Sequence, residues 1–425
     1  MSATPRHAPG FVRLWLGTGV SALGTFIGSL ALSFAVVETL GASPIAVAGL
    51  GVVQLVAGGI AAPLAGVLVD RHRRRRLMVL ADVGRTAAIA MLPIAHHLGH
   101  LTIWLVGVVG ALTGVGNVVF NAAYQSHLPR LVGRSRLVSA NATIAATVSL
   151  AEIAGFASAG WLVHLLGAPN ALAIDAASFL VSAVCILSIA GAEPSRPPPR
   201  AREAHERRTT EAMAGLRHIV REPVLRVLVG TATLYDVSSS MIGVGYLLYL
   251  SNDVGFSEGV LGSIFAIGGV ASLVGARAAH RAERSGRVGR VYVAAGFMRT
   301  LGTTAMPAAS STGASGVALL VGNQAVTDPA WMLQEIAEAS IRQARAPDEI
   351  AGRISAAQQF AGTIGRLVGT LLAGAIAQLW SPRTALWTGS GLCLGASVVL
   401  AMSPIRRLAR AAGEPVDEPV DDGQR

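Results

Sequence analysis

The sequence predicts an all-α membrane protein with twelve transmembrane helices in two pseudo-symmetric six-helix bundles. Three observations predict it: an apolar composition with little charge, twelve long apolar runs, and an alternation of arginine between them. Of 425 residues, 52% are hydrophobic and 14% charged, and 49 are glycine. A soluble domain carries about 25% charged residues, so a soluble globular chain is excluded. The high hydrophobicity excludes a disordered one. A net charge of +10 suits nucleic acid, but the basic residues lie between apolar runs, so they are read as membrane-flanking and no nucleic-acid partner is expected.

A helix needs about 20 mostly apolar residues to cross the hydrocarbon core. Twelve runs qualify, near 11–37, 44–69, 77–97, 101–124, 139–165, 170–191, 223–250, 259–280, 290–309, 314–338, 354–380 and 384–403. Backbone amides cannot go unpaired in lipid, and no ten-residue alternating pattern recurs, so the runs are helices and not barrel strands. The first run exceeds a signal-peptide core of about 7–15 residues and is read as a retained span.

All 34 basic side chains are arginine, which suggests a GC-rich bacterial genome. Thirty fall at the termini or in the loops after even-numbered spans, one (Arg383) in an opposite loop, and three (Arg85, Arg299, Arg366) within spans. The excess of basic residues marks the cytoplasmic side. The expected setting is therefore a bacterial cytoplasmic membrane, crossed many times, with both termini cytoplasmic. Cys185 and Cys393 lie inside apolar runs and offer neither a disulfide framework nor a metal site.

The expected organisation is a first bundle over 1–192, a cytoplasmic linker over 193–222, a second bundle over 223–405 and a tail over 406–425. The linker opens with proline-rich PSRPPPR and continues as a helix with Met213, Leu216, Ile219 and Val220 on one face, suited to lying on the membrane surface. The acidic, proline-bearing tail is expected to be disordered.

The halves repeat. A shift of 214 places Arg85-Thr86 on Arg299-Thr300, Gly155 on Gly369, Gly160 on Gly374 and Ala171-Leu172 on Ala385-Leu386. Near the start a shift of 213 places Gly17-Thr18 on Gly230-Thr231. Parallel repeats of this kind build secondary transporters whose binding site lies between the halves near the midplane.

The loop after the second span carries GVLVDRHRRRR, Gly66 to Arg76. It resembles the loop 2–3 motif of the major facilitator superfamily, with Gly66, Asp70, Arg71, Arg74 and Arg75 in register and Arg73 in place of the motif's second glycine. The resemblance implies the major facilitator fold and an inner gate locking the two halves when the site faces outward. Three further stretches resemble the branch of enterobactin exporters and macrolide-efflux proteins: LPRLVGRSRLVSANA (Leu128–Ala142), DAASFLVSA (Asp175–Ala183) and RQARAPDEIAGR (Arg342–Arg353). Proton-coupled drug antiporters often carry Gly-Pro in span 5, where this chain has Gly155-Phe156.

Charges at mid-bilayer are costly, by about 2.5–3.5 kcal/mol on insertion scales, and normally face a wet cavity or a partner. Glu152, Asp236, Asp328 and Arg366 lie mid-span, all on spans that line the cavity in the superfamily's arrangement. Glu152 maps onto Arg366 under the shift of 214, so the two are expected to pair across the pseudo-twofold axis, either as a charge-coupling device or as a fixed strut. Asp236 has no cation close in sequence. It is read as a carboxyl that gains and loses a proton, or as one bonded to Ser238–Ser240. Asp328 either faces the cavity or opens a helix break before Pro329.

Asp82 and Arg85 share a face of the third span and are read as part of the inner gate or as a local pair, with Arg299 in the equivalent role. Gln54, Asn117, Asn121, Tyr235, Asn323, Gln324, Gln358 and Gln359 are the uncharged candidates for lining the substrate cavity, the competing role being interhelical hydrogen bonding. Glycines in spans 2, 5 and 11 are expected to let helices approach closely. His96, His97 and His100 cluster without a carboxylate nearby, and no metal site is expected. GxxxxGK[ST], GxSxG and HExxH are missing, so neither ATP drive nor an enzyme is expected, and no cofactor.

These features converge on secondary active efflux of small amphipathic or apolar molecules (drug, siderophore or metabolite), driven by protons through alternating access. The direction is implied by the branch resemblance. An uptake symporter or facilitator for a small metabolite is the alternative, followed by a non-transporting regulator or enzyme. The expected partners are a small-molecule substrate, protons and the lipid bilayer, around a monomer.

Overall fold

The computed structural model describes residues 9–133, 136–189, 215–347 and 350–408. Twelve long helices occupy the twelve apolar runs: α1 Pro9–Phe34, α2 Pro44–Arg71, α3 Arg74–His97, α4 Ile103–Val132, α5 Leu137–Leu166, α6 Ala168–Leu187, α7 Pro223–Leu247, α8 Glu258–Arg284, α9 Val288–Ala308, α10 Ala314–Arg345, α11 Ala351–Leu379 and α12 Pro382–Met402. The chain is a multi-pass membrane protein, and ten of these helices are long and apolar enough to span on composition alone. α9 and α10 have the length, at 21 and 32 residues, but carry polar groups. Arg299 in α9 and Asn323 and Gln324 in α10 are all buried, which keeps them off lipid.

The termini of the helices follow local chemistry. Proline opens α2, α6 and α12, where its missing amide costs nothing and its φ suits the first turn. Thr102 and Ser381 cap α4 and α12 through their hydroxyls. Gly133 and Gly167 end α4 and α5 at φ 77° and 81°, a region that other residues enter at a cost.

By contact density the chain divides into two units. Unit 1 is Met1–Pro199 with Leu247–Gly269, and unit 2 is Arg200–Tyr246 with Val270–Arg425. Within unit 1, α1 packs on α5 and α6, α2 on α4, and α3 on α4 and α6. One core cluster there is built on Phe11, Leu14, Met78, Phe120 and Ile186. In unit 2, α9 packs on α10 and α12, around a core that includes Leu225, Leu228, Tyr292, Ile341 and Cys393.

α1 and α7 both end in a π-turn, over Ala35–Thr39 and Leu248–Val254. The shift of 213 carries Ala35 onto Leu248 and Glu38 onto Ser251. Ser251 donates its hydroxyl to Glu38, so equivalent positions of the two repeats meet within unit 1. Beside them the first part of α8 lies on α5 with backbone touching backbone. A Cβ on Gly160 would stand 2.2 Å from the Glu258 carbonyl, and one on Gly262 would stand 2.7 Å from Gly160 Cα. Gly160→Val is therefore expected to cost about 1–3 kcal/mol through overpacking, seen as a lower thermal midpoint in detergent. An unchanged midpoint would show that α8 is free to move away.

Glycine plays the expected role in α5 and α11 but not in α2. A Cβ on Gly155 would meet Phe26 Cβ at 2.6 Å, and one on Gly369 would meet the Val237 carbonyl at 2.3 Å. In α2, Gly49, Gly59 and Gly66 have nothing within 4 Å of an added Cβ, and Gly58 makes only an ordinary contact with Val118. These positions present a smooth surface rather than a close helix contact.

Residues 215–221 are helical. Ile219 is buried in the unit 2 core, while Leu216 and Val220 are exposed. Met213 lies outside the described residues, as do the rest of 190–214, which takes in most of the linker, and 409–425 of the tail.

Candidate functional site

Asp236 and Arg366 form the principal ion pair of α7 and α11. Arg366 Nη1 stands 3.1 Å from Asp236 Oδ1, with the side chains 43% and 32% exposed. Arg366 Nη2 also donates to Thr363 at 3.1 Å. Glycine makes the pairing possible: a Cβ on Gly362 would lie 2.6 Å from Asp236 Oδ2, and one on Gly365 would lie 2.9 Å from the Thr233 carbonyl. Asp236, for which the sequence offered no cation close by, thus has Arg366 as its partner within unit 2. Glu152 is half-buried in unit 1. The serine alternative for Asp236 fails at two positions, since Ser238 donates to the Gly389 carbonyl at 2.8 Å and Ser239 accepts from Arg299.

Arg299 is buried over the ring of Tyr235, 4.8 Å from its centroid, and donates to Gln334 at 3.4 Å. Tyr235 is itself buried, 3.0 Å from Ser397 Oγ through its hydroxyl. Asn323 and Gln324, grouped with Tyr235 as candidates for the substrate cavity, are buried as well. Asn323 donates to the Gly302 carbonyl of α9 at 2.9 Å, an interhelical bond, and to Thr327 one turn along its own helix at 3.1 Å. α10 runs unbroken through Pro329, so Asp328 opens no break. Instead α8 approaches the Pro329 carbonyl, which would lie 2.1 Å from a Cβ on Gly275. Asp328 is half-buried and acts electrostatically on Tyr246.

A second polar cluster ties α10 to α11. Glu338 Oε1 accepts from Arg342 at 2.9 Å and from Gln358, and Arg342 also donates to Gln358. Gln358 is therefore engaged, whereas Gln359 is exposed. At the same end Arg345 faces Glu222 at 3.5 Å. Glu338 was not singled out from the sequence, because it sits a few residues beyond the apolar part of its run.

In unit 1, Asp82 and Arg85 are paired and nearly fully buried. The guanidinium lies between the rings of Phe120 and Phe179, 4.7 and 4.1 Å from their centroids, and donates to Asn117 Oδ1 at 2.6 Å. These two residues hold α3 to α4 and α6 from inside the core, which favours the local-pair reading over a place on a gate surface. Asn121, one turn beyond Asn117, is exposed, as is Gln54 on α2.

At the start of α3, Asp70, Arg71 and Arg73 are exposed and Arg74 is buried. Arg73 has φ −67° and ψ 123°, an ordinary extended conformation, so the turn needs no glycine there. Arg75 donates to the carbonyls of Ile186, at 3.0 Å, and Leu187, and Arg13 donates to that of Ser188. Both arginines thereby satisfy the orphan carbonyls at the end of α6. Gly66 is half-buried, with open space where a Cβ would stand.

On the π-turn side, His164 Nδ1 faces Glu258 Oε2 at 3.4 Å and Trp161 donates to Ser263 at 3.2 Å. His96 and His97, at the end of α3, have ring centroids 5.8 Å apart.

Two six-helix repeats with charged groups held between apolar helices define the class of membrane transport proteins. A family model described as Major Facilitator Superfamily matches residues 14–370, and the chain belongs to that superfamily. It is 29% identical over 375 residues to an uncharacterized MFS-type transporter, y4rN, of Sinorhizobium fredii, covering 87% of this chain and 88% of that protein. It is 25% identical over 354 residues to the enterobactin exporter EntS of Escherichia coli, with 80% of each covered. With macrolide efflux protein A of Streptococcus pyogenes it shares 27% identity over 176 residues, 41% of this chain and 43% of that one. Among solved structures, a bacterial homologue of the iron transporter ferroportin superposes with TM-score 0.70 at 16% identity, covering 92% and 98% of the chains. The nucleoside transporter NupG gives 0.69 at 13%, with the same coverage. At these identities the structures establish the fold alone. The superfamily and these relatives are transporters, not enzymes.

Proposed function

We propose that the protein exports small amphipathic or apolar molecules from a bacterial cytoplasm by alternating access, driven by proton entry, with both termini cytoplasmic. One observation carries the reading: Asp236 and Arg366 form an ion pair between two apolar helices yet remain 32% and 43% exposed. Such a pair is expensive in lipid and useful where water and substrate reach it. The carboxylate alternates between its arginine and a proton as the cycle proceeds. Export is supported by the enterobactin exporter and the macrolide efflux protein among the relatives. Glu152 and Asp328 are further charges in reach of the pathway, with Gln54, Asn121 and Gln359 as its exposed polar groups. Asp70, Arg71 and Arg74, beside Gly66, make up the inner gate, while Arg75, Asp82 and Arg85 brace it.

The test compares accumulation of a panel of dyes and drugs in cells with and without the protein, with and without a proton uncoupler. Lower accumulation that the uncoupler abolishes is the expected result. Transport insensitive to the uncoupler would replace proton drive with another ion or with facilitated diffusion, and raised accumulation would reverse the direction.

A further inference from the structure

The buried arginines of the two repeats are equivalent in sequence but not in surroundings. Arg299 donates to Ser239 and Gln334 and lies over the Tyr235 ring; the carboxylate it acts on electrostatically, Asp236, has its own partner in Arg366. Arg85 is paired with one carboxylate, Asp82 on α3, and acts electrostatically on a second, Asp175 on α6. The shift of 214 places Asp82 on Gly296 and Asp175 on Gly389, so neither acid has a counterpart. The second repeat uses those places for close packing, since a Cβ on Gly296 would lie 2.4 Å from Tyr235 Oη and one on Gly389 3.0 Å from Ile242.

Both acids are deep in unit 1, Asp82 at 0% and Asp175 at 6% exposure, and Arg85 is at 6%. The guanidinium is committed elsewhere: one terminal nitrogen donates to Asp82 and the other to Asn117. Asp175 Oδ1 is buried with no hydrogen-bond partner. Its other oxygen points at a notch in α1, where a Cβ on Gly28 would stand 2.4 Å from Oδ2. One turn earlier, Gly24 accommodates Ser178 in the same way. The helices around Asp175 bring it Gly24 and Gly28 from α1, Arg85 from α3 and Ser178, which donates to the Asp175 carbonyl, from α6 itself. Arg85 acts on it electrostatically.

Two carboxylates and one arginine leave one negative charge. An isolated ionised carboxylate is far too costly in such a place, and a buried acid takes up a proton instead. We propose that Asp175 is a proton-binding site, with Arg85 shared between Asp82 and Asp175 so that the proton leaves Asp175 when Arg85 turns toward it. This deepens the proton-driven reading and rests on it for its role in transport. The binding itself does not depend on transport.

The test is infrared spectroscopy of the purified protein, which reads the C=O band of a protonated carboxyl without any substrate. The wild type is expected to show a band that Asp175→Asn removes and that shifts on transfer to D2O, which marks an exchangeable proton. Asp82→Asn is expected to remove it too, because Arg85 is then free to pair with Asp175 and one arginine balances one carboxylate. Monodispersity on size exclusion checks that each variant is folded, and Asp175→Glu retains the acid if Asp175→Asn does not fold. A spectrum that Asp175→Asn leaves unchanged, a band blind to D2O, or a band that survives Asp82→Asn would each overturn the proposal. Uncoupler-insensitive transport with the band intact would instead remove proton drive and leave the proton site standing.

Discussion

Arg85→Ala is expected to cost about 3–5 kcal/mol, the penalty for breaking a buried ion pair by removing one partner. The loss is large because Asp82 is completely buried and has Arg85 as its cation. The guanidinium also fills the space between Phe120 and Phe179 and reaches Asn117, so its removal opens a void lined by two aromatic rings. Arg85→Lys keeps the charge but not the planar fork that serves Asp82 and Asn117 together, and is expected to fall between. Arg299→Ala strands Ser239 and Gln334, which are neutral, and is expected to cost only about 1–3 kcal/mol. Thermal midpoints in detergent, followed by loss of monodisperse protein, measure the series. Equal effects at Arg85 and Arg299 would mean that Asp82 carries no charge to be stranded.

The helices and their repeat were legible because both rest on patterns spread over many residues. Twenty-residue apolar runs and thirty arginines in alternate loops tolerate local exceptions such as Arg299 or Asn323. The π-turns were not legible: Ala35–Thr39 and Leu248–Val254 share no sequence signature, and only the shift of 213 shows them to be equivalent after the fact. Pairing was legible where the partners are close in sequence, as for Asp82 and Arg85, three residues apart on one helix. The pair of Asp236 and Arg366 was not legible. The repeat offered Glu152 at the matching position, whereas the contact with Asp236 depends on where glycine lets two helices touch, and Gly362, Gly365 and Gly369 bring α11 onto α7 beside Asp236. Tyr235, Asn323 and Gln324 were drawn to the cavity by residue type, whereas their burial depends on which side of the helix faces the bundle. Asp175 lies on α6, which is not among the spans that line the cavity in the superfamily's arrangement, so residue type alone did not mark it. The cost of a charge in an apolar helix applies there with equal force, and this was the available signal.

Asp236→Asn is expected to leave the protein folded and to abolish uncoupler-sensitive transport, a loss of roughly tenfold or more, equivalent to about 1.4 kcal/mol or more of differential stabilisation. The amide keeps the size of the carboxyl and can still accept from Arg366, so packing against Gly362 is retained while the proton-binding oxygen is lost. Arg366→Ala removes the other half and leaves Asp236 partly exposed, where water can solvate it. Its stability is therefore expected to change little and its transport to fall as far. The decisive measurement is the exchange of charges, Asp236→Arg with Arg366→Asp, compared with each single change. Two like charges beside Gly362 repel, so each single exchange is expected to expel less dye than the pair. Recovery in the double variant identifies direct partners. If the double variant is no better than either single one, the 3.1 Å contact is incidental to the cycle. If Asp236→Asn transports with its uncoupler sensitivity intact, the proton is carried elsewhere, and attention passes from α7 to the buried acids around Arg85. Glu152 separates these cases: it lies in unit 1 and Arg366 has Asp236 as its partner, so Glu152→Gln is expected to spare the effect of the Asp236–Arg366 exchange, which it would alter if the two repeats were coupled through that arginine.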